Sequence, residues 1–199
     1  MALGERRTNA QAILDIYRLG YLTDSMHVVD LTFGRGSWWK LWAPVHFTAN
    51  DLYEPCANQY DYACLPWSNS KFDAVPFDPP YKLKGTGGSH ESDKLYGVAT
   101  PYEHWTAMFR EIHEGIDEAC RVLKPGGTLL LKTMDQVSGA DIRWTGGFVR
   151  PAERLGCQHV MNLHVSGYRR QPEGKTQRRP RQDFSTMHVL VKELVEEWR

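Results

Sequence analysis

The chain of 199 residues lacks the features that define several classes of protein. No stretch approaches the ~20 consecutive apolar residues that a membrane-spanning helix needs, so the sequence predicts a cytosolic protein without membrane contact. The four cysteines show no Cys-x-x-Cys spacing, which disfavours a zinc site or a disulfide framework and predicts buried free thiols. The eight histidines form no His-x-x-x-His or Glu-x-x-His pair, so no metal is predicted.

The chain also lacks a net charge, because its 24 basic and 24 acidic residues cancel. The distribution is nevertheless uneven, since residues 168–181 carry six lysines and arginines against one glutamate. Such a local excess is typical of a phosphate-binding edge on an otherwise acidic protein, and it also occurs in solvated loops. We favour contact with nucleic acid. The predicted contacts are Arg169, Arg170, Arg178, Arg179 and Arg181.

Two segments carry most of the functional information. Residues 27–36 are a β-branched run that leads into a glycine turn, which is typical of a strand followed by a loop that a ligand can approach closely. About fifty residues later, a second apolar run ends in Asp78-Pro79-Pro80-Tyr81, which presents a carboxylate and an aromatic ring at a rigid strand end. Because open α/β sheets bind ligands at the carboxyl ends of their strands, the sequence predicts two ligands side by side.

These residues resemble the class I S-adenosylmethionine-dependent methyltransferases, and within them the branch whose Asp-Pro-Pro-Tyr motif methylates exocyclic amino groups of nucleic-acid bases. The turn at 30–36 resembles the family's methionine-cradling loop, and Asp51 matches the acid that binds the cofactor ribose. Residues 61–66 are similar to the segment beside the cofactor adenine, and residues 121–131 resemble the helix-to-strand transition. Each motif alone is weakly specific, whereas their occurrence in this order is hard to obtain by chance.

The resemblance implies an α/β, Rossmann-like class I methyltransferase fold, with an open mixed sheet, an antiparallel last strand and helices on both faces. Length and composition predict one domain covering residues 1–199. Only nine residues separate Asp51 from Asp61, where family members have a helix and a third strand, so that unit is predicted to be abbreviated or missing. Residues 82–101 are predicted to form a mobile loop over the site, and residues 168–183 a long basic connection.

Hydrophobic periodicity locates the individual elements. Capping-box spacing at Thr8 predicts the start of a short helix, and the strongest helical pattern runs from Trp105 to Leu123. Trp38, Trp39 and Trp42 are interpreted as packing residues rather than a base-stacking platform. Short helices are also predicted at 37–42 and 148–155, and strands at 26–31, 45–50, 72–77, 128–134, 159–166 and 185–192.

The resemblance also implies a role for each site residue. The Asp78 carboxylate and the Pro79 carbonyl would accept the two hydrogens of the target amine, while Pro80 would keep the turn rigid and Tyr81 would stack on the base. For Asp30, capping of the following turn is the alternative to cofactor contact. Lys82 and Lys84 would contact phosphate, although ordinary surface lysines explain them nearly as well. The predicted contacts of S-adenosyl-L-methionine are Asp30, Thr32, Phe33, Gly34, Gly36, Asp51, Leu52, Asp61, Tyr62 and Asp78.

The leading hypothesis is therefore an enzyme that makes N6-methyladenine or N4-methylcytosine in DNA. An RNA methyltransferase acting on guanine N2 or adenine N6 is an alternative, because bases in loops can be reached without a large reading domain. A catalytically silent nucleic-acid-binding subunit and a small-molecule methyltransferase are further alternatives, and the intact Asp78-Pro79-Pro80-Tyr81 motif argues against both.

Overall fold

The computed structural model describes residues 7–81, 104–138, 141–143, 145–166 and 183–194, and for 136–138 and 141–143 it describes the backbone. The predicted loop at 82–101 lies outside the described residues, as do Lys82, Lys84 and the five arginines of the basic connection. The roles predicted for these residues stay predictions, as does the single domain over 1–199.

The described chain contains helices α1 (Asn9–Arg18), α2 (Trp105–Val122) and α3 (Val149–Arg154), with short 3-10 helices at Ser37–Trp39 and Gly146–Phe148. Its strands are β1 (His27–Asp30), β2 (His46–Ala49), β3 (Phe72–Phe77), β4 (Leu123–Thr133), β5 (Gln136–Ser138), β6 (Asp141–Arg143), β7 (Cys157–Ser166) and β8 (Phe184–Lys192). The hairpin of β5 and β6 was not predicted from the sequence.

Six strands form one sheet in the order β2-β1-β3-β4-β8-β7. The first four strands are mutually parallel, and β8 runs antiparallel to both of its neighbours. Helix α1 covers one face with Ile13 and Ile16, while α2 covers the other with Met108, Ile112 and Ile116. The open mixed sheet, its reversed last strand and the helices on both faces confirm the predicted fold class.

The central strands are buried on both faces, which explains their continuous apolar sequence. All the apolar residues of β3 are buried, and its observed bounds coincide with those predicted from the sequence. At its start, α1 has the predicted capping box, in which the Thr8 side chain accepts from the Gln11 backbone and the Gln11 side chain accepts from Thr8. The tryptophans at 38, 39 and 42 belong to the core on the α1 face, so their interpretation as packing residues is confirmed.

The third strand unit of the family is missing from the described residues. Among the described residues, the sheet is extended beyond β2 only by an isolated parallel bridge between Asn50 and Asn58. The shortened segment is instead fixed to α2, because Arg121 donates to the Leu65 and Trp67 carbonyls at 3.1 and 2.7 Å. Glu118 completes this attachment by accepting from the Leu65 backbone N–H at 2.7 Å.

The shortened segment also explains where the cysteine prediction is wrong. All four cysteines are free, and Cys120 and Cys157 are buried with their sulfurs 3.6 Å apart. Cys56 and Cys64, in contrast, are exposed, because they lie in the segment where no third strand covers the chain. Within the described ranges, no helix has the length and apolar content required to cross a membrane.

Candidate active site

The candidate site lies where the carboxyl ends of β1, β2 and β3 meet. Backbone hydrogen bonds hold the three strand ends together: Leu31 N donates to the Pro76 carbonyl at 3.0 Å, and Phe33 N donates to the Asn50 carbonyl at 2.9 Å. The loops that follow these strands therefore emerge next to one another, and the binding of two ligands there stays a prediction.

A direct hydrogen bond connects the two predicted motifs. The backbone N–H of Asp78 donates to the Thr32 hydroxyl at 2.8 Å, so the Asp-Pro-Pro-Tyr turn is attached to the glycine turn. The Asp78 carboxylate is paired with a residue that the sequence analysis missed, since its Oδ2 lies 2.7 Å from the Lys132 ammonium at the end of β4. The only sequence signal for Lys132 was a lysine directly after the apolar residues 129–131 within a predicted strand.

The rest of the motif is packed against the protein interior. Pro79 is buried, and the Tyr81 ring packs against the core on the α2 face. The Tyr81 hydroxyl is buried beside the Asp78 carboxylate. Burial, together with the nearby Asp78 carboxylate, raises the pKa of Tyr81 well above its ordinary value. Stacking of this ring on a base stays a prediction.

The glycine turn has the backbone conformation that its sequence predicts. Gly34 and Gly36 have φ angles of 53° and 66°, in the left-handed region that side chains rarely adopt. A Cβ at Gly36 would lie 2.7 Å from the Phe33 ring, whereas a Cβ at Gly34 would have no neighbour within 4 Å. The turn is thus closed by Phe33 on one side and open at Gly34, where a ligand can approach the backbone.

Asp51 joins this open turn to the end of β2. Its Oδ2 accepts from the Gly34 backbone N–H at 2.8 Å, and its Oδ1 accepts from the Tyr53 backbone N–H at 3.0 Å. Each carboxylate oxygen has capacity for a further hydrogen bond, and the side chain is half-buried. Contact of this carboxylate with the two ribose hydroxyls of S-adenosyl-L-methionine stays a prediction.

Asp30 is the most deeply buried acid of the site, with 3% of its surface exposed. Its Oδ1 accepts from the Thr32 backbone N–H at 3.0 Å, and its Oδ2 accepts from the Trp39 indole at 2.8 Å. The turn-capping role is therefore present in the structure, and contact with the cofactor stays a prediction. Burial raises the pKa of Asp30 to about 7, and the charges of Asp78 and Asp51 add to this effect.

This raised pKa predicts a pH-dependent stability. The folded chain holds the Asp30 proton up to about pH 7, whereas the unfolded chain releases it near 3.8, so the folded state binds more protons between these values. The free energy of unfolding should therefore decrease as the pH rises through this window, by roughly 4 kcal/mol at most. Asp30→Asn should lack this decrease when its free energy of unfolding is measured with urea from pH 4.5 to 8.

A surface pair supplies the control for this prediction. Asp24→Asn changes an exposed carboxylate that accepts from the Trp42 indole at 2.9 Å and from the Tyr17 hydroxyl at 3.0 Å, so it reports the loss of hydrogen bonds to a carboxylate that is not buried. The prediction concerns how the free energy of unfolding changes with pH, and not its absolute value. In Asp30→Asn the amide NH2 group must face one of the two N–H donors that bind Asp30, which lowers the stability at every pH. If the free energy of unfolding changed with pH equally in the wild type and in Asp30→Asn, the pKa of Asp30 would not be raised in the folded protein.

The predicted adenine segment lies beside the same strand ends. The Asn50 side chain donates to the carbonyls of Leu31 and Tyr60, which places residues 60–62 next to the end of β2. Tyr62 packs edge-on against Phe77 with ring centroids 5.0 Å apart, and its hydroxyl donates to Glu111 at 3.1 Å.

Two of the predicted cofactor contacts are exposed side chains. Leu52 and Asp61 both lie on the surface, and the Asp61 carboxylate accepts from the Ala63 backbone N–H at 2.8 Å. Their contact with a cofactor, and that of Tyr62, stays a prediction. Among the described residues, no group of three or more His, Cys, Asp or Glu side chains is arranged to hold a metal ion.

Strand order, strand direction, the glycine turn after β1 and the acid after β2 together define a class I methyltransferase fold. The N-methyltransferase NodS from Bradyrhizobium japonicum WM9 has a similar structure, with a TM-score of 0.53, 12% identity and coverage of 92% of this chain and 94% of that one. The 1,6-didemethyltoxoflavin-N1-methyltransferase of Burkholderia thailandensis, solved with 1,6-didemethyltoxoflavin and S-adenosylhomocysteine, has a TM-score of 0.56, 13% identity and coverage of 93% and 78%. No family model and no curated protein matches the sequence. At these identities the likeness concerns the fold.

Proposed function

We propose that this protein transfers the methyl group of S-adenosyl-L-methionine to an exocyclic amino group of a nucleic-acid base, adenine N6 or cytosine N4 in DNA. The hydrogen bond from the Asp78 backbone to Thr32 carries the proposal. It fixes an acceptor for the amine beside the candidate methionine-binding turn, and methyl transfer requires the nitrogen and the methyl carbon to be held in contact. That the substrate is a base amine is inferred from the resemblance of the Asp-Pro-Pro-Tyr motif to that of the amino-methylating branch.

The chemistry asks the protein to improve a poor nucleophile, because the lone pair of the amine is delocalised into the base. Hydrogen bonds from the amine to the Asp78 carboxylate and the Pro79 carbonyl would draw the nitrogen toward a tetrahedral geometry during attack. When bound, the cofactor supplies a methyl group activated by a positively charged sulfur, so the nitrogen–carbon bond would form as the carbon–sulfur bond breaks and the sulfur leaves as a neutral thioether. The proton lost by the methylated nitrogen would pass to solvent. Asp78 would act as a hydrogen-bond acceptor, and the target base must be flipped out of a duplex or single-stranded to reach it.

The charges of the site suit a cationic cofactor. Asp30, Asp51 and Asp78 surround the glycine turn closely enough for the latter two to raise the pKa of Asp30. Lys132 offsets the charge of Asp78 alone, so Asp51 retains a carboxylate without a cationic partner among the described ion pairs. A positively charged sulfonium placed beside this turn would be stabilised by the remaining negative charge.

Strand directions support the contact with nucleic acid. Thr133, at the carboxyl end of β4, pairs with Thr186 near the start of β8, and Ser166 at the end of β7 pairs with Phe184. The basic connection joins β7 to β8, so both of its attachment points lie at the edge of the sheet that carries Asp78. Lysines and arginines attached at this edge would be positioned to bind phosphates around the target base.

Incubation with methyl-labelled cofactor tests the proposal. The protein is offered duplex DNA, single-stranded DNA and RNA, and the products are digested and identified by nucleoside mass spectrometry. We expect label in N6-methyladenine or N4-methylcytosine from DNA. Label in RNA nucleosides alone would select the RNA alternative, and cofactor binding without label in either polymer would refute transfer to nucleic acid.

A further inference from the structure

Lys132 is held in an unusual position for a lysine. It follows the apolar residues of β4, its side chain is 14% exposed, and its ammonium lies 2.7 Å from Asp78 Oδ2. Removing an ammonium group from water is costly unless a partner of opposite charge compensates it. The ammonium is therefore confined to positions where it contacts the Asp78 carboxylate.

A second contact restricts the ammonium further. It lies 5.7 Å from the centroid of the Trp38 ring, which is within the range of a cation–π interaction. Trp38 is itself buried, in the 3-10 helix that directly follows Gly36. The position of the ammonium thus depends on the glycine turn on one side and on the Asp78 carboxylate on the other.

We infer that Lys132 is a positioning residue that orients the Asp78 carboxylate toward the target amine, and this inference rests on the proposed function. The bond from the Asp78 backbone to Thr32 fixes the main chain, but it leaves the carboxylate free to rotate about a broad, roughly two-fold torsion. With Oδ2 held by Lys132, Oδ1 becomes the acceptor for the amine hydrogen. An acceptor that is already aligned needs no reorganisation when the nitrogen changes geometry.

The chain contains a matched ion pair at the opposite end of the same two strands. Lys124 of β4 lies 2.7 Å from Asp73 of β3, the same distance as in the pair of Lys132 with Asp78. This second pair is far from the strand ends that carry the glycine turn, and its side chains are 41% and 31% exposed. It therefore provides a control for the general effect of removing a lysine that links β3 to β4.

The experiment compares Lys132→Met with Lys124→Met in the full chain. For Lys132→Met we expect kcat for DNA methylation to fall by about 10-fold or more, since small losses of alignment are costly to a reacting pair. KM for DNA should stay within about 2-fold of wild type, because Lys132 does not bind the base. The cofactor should bind at least as tightly as in wild type, because the variant leaves more negative charge beside the sulfonium. Lys124→Met should keep the wild-type kcat per folded molecule.

Two further variants keep the test decisive. Lys132→Arg should recover most of kcat, because a guanidinium can both pair with a carboxylate and stack on an indole. Lys132→Gln keeps a donor for Oδ2 and removes the buried charge, so it replaces the methionine variant if that variant does not fold. Its kcat should lie between that of Lys132→Met and that of the wild type. Wild-type kcat in Lys132→Met or Lys132→Gln, or an equal loss in Lys124→Met, would overturn the inference while leaving the proposed function intact. A wild-type protein that methylates neither DNA nor RNA would refute the proposed function itself, and the inference with it.

Discussion

Asp78→Ala should reduce methyl transfer by at least ~100-fold, the effect expected when one preorganised acceptor or donor is removed from a transition state. The loss should appear in kcat, because the amine draws most on this acceptor as its nitrogen becomes tetrahedral. Cofactor affinity should be retained, since the alanine backbone can still donate to Thr32. Single-turnover transfer of labelled methyl to DNA measures the rate, and calorimetry measures the affinity.

The ion pair with Lys132 determines the controls for this variant. Alanine at position 78 leaves the ammonium without its partner, which destabilises the fold independently of the chemistry. The double variant Asp78→Ala/Lys132→Met removes that cation, so it should be more stable than Asp78→Ala and equally slow. Asp78→Asn keeps one acceptor oxygen and should lose less activity than alanine. Wild-type rates in the alanine variant and in the double variant would refute the amino-methylation mechanism.

Asp51→Ala should weaken the binding of S-adenosyl-L-methionine by roughly 1.5–3 kcal/mol, the usual range for hydrogen bonds to a charged group. In calorimetry this corresponds to an increase in Kd of about 10- to 150-fold. Two causes act together: the ribose hydroxyls lose their acceptor, and the Gly34 backbone loses the bond that orients the glycine turn. Asp51→Asn keeps one acceptor oxygen, so its affinity for the cofactor should lie between that of the alanine variant and that of the wild type.

A neighbouring acid is the control for Asp51. Glu54→Ala removes a carboxylate from the same loop, where its Oε1 contacts the Cys56 thiol at 3.4 Å, and it should leave cofactor affinity unchanged. Both proteins can be compared at equal folded fraction by circular dichroism before titration. An Asp51→Ala protein that folds and binds the cofactor with wild-type affinity would remove Asp51 from the site.

Elements that depend on a local pattern of residues along the chain were predictable from the sequence. The apolar run of β3 identified the strand with its correct bounds, because burial on both faces requires an unbroken series of apolar side chains. The short distance from Asp51 to Asp61 likewise excluded a complete helix and strand. The helix predicted at 37–42 was too long, since the chain forms only a 3-10 turn at Ser37–Trp39 before Trp42 packs against Tyr17.

Contacts between distant segments were not predictable in this way. Lys132 and Asp78 are 54 residues apart, and they meet because β3 and β4 pair with Phe77 opposite Leu131. Trp39 was interpreted as a packing residue, and the bond from its indole to Asp30 depends on how the 3-10 turn folds back over β1. The register between strands and the direction of a side chain are properties of the assembled sheet, so they cannot be predicted from a single sequence.

The sequence by itself determined the order of the helices and of the six strands of the main sheet along the chain, together with the glycine turn, the strand-end acids and the Asp-Pro-Pro-Tyr motif. Each of these depends on residues that are close together in the chain. Only the tertiary structure decided how these parts are connected. It attached Asp78 to Thr32, Gly34 to Asp51 and Lys132 to Asp78, and it buried Asp30 deeply enough to raise its pKa to about 7. The physical reason is that desolvation and hydrogen bonding act on distances in space, which the parallel strands bring down to about 3 Å only after the sheet has formed.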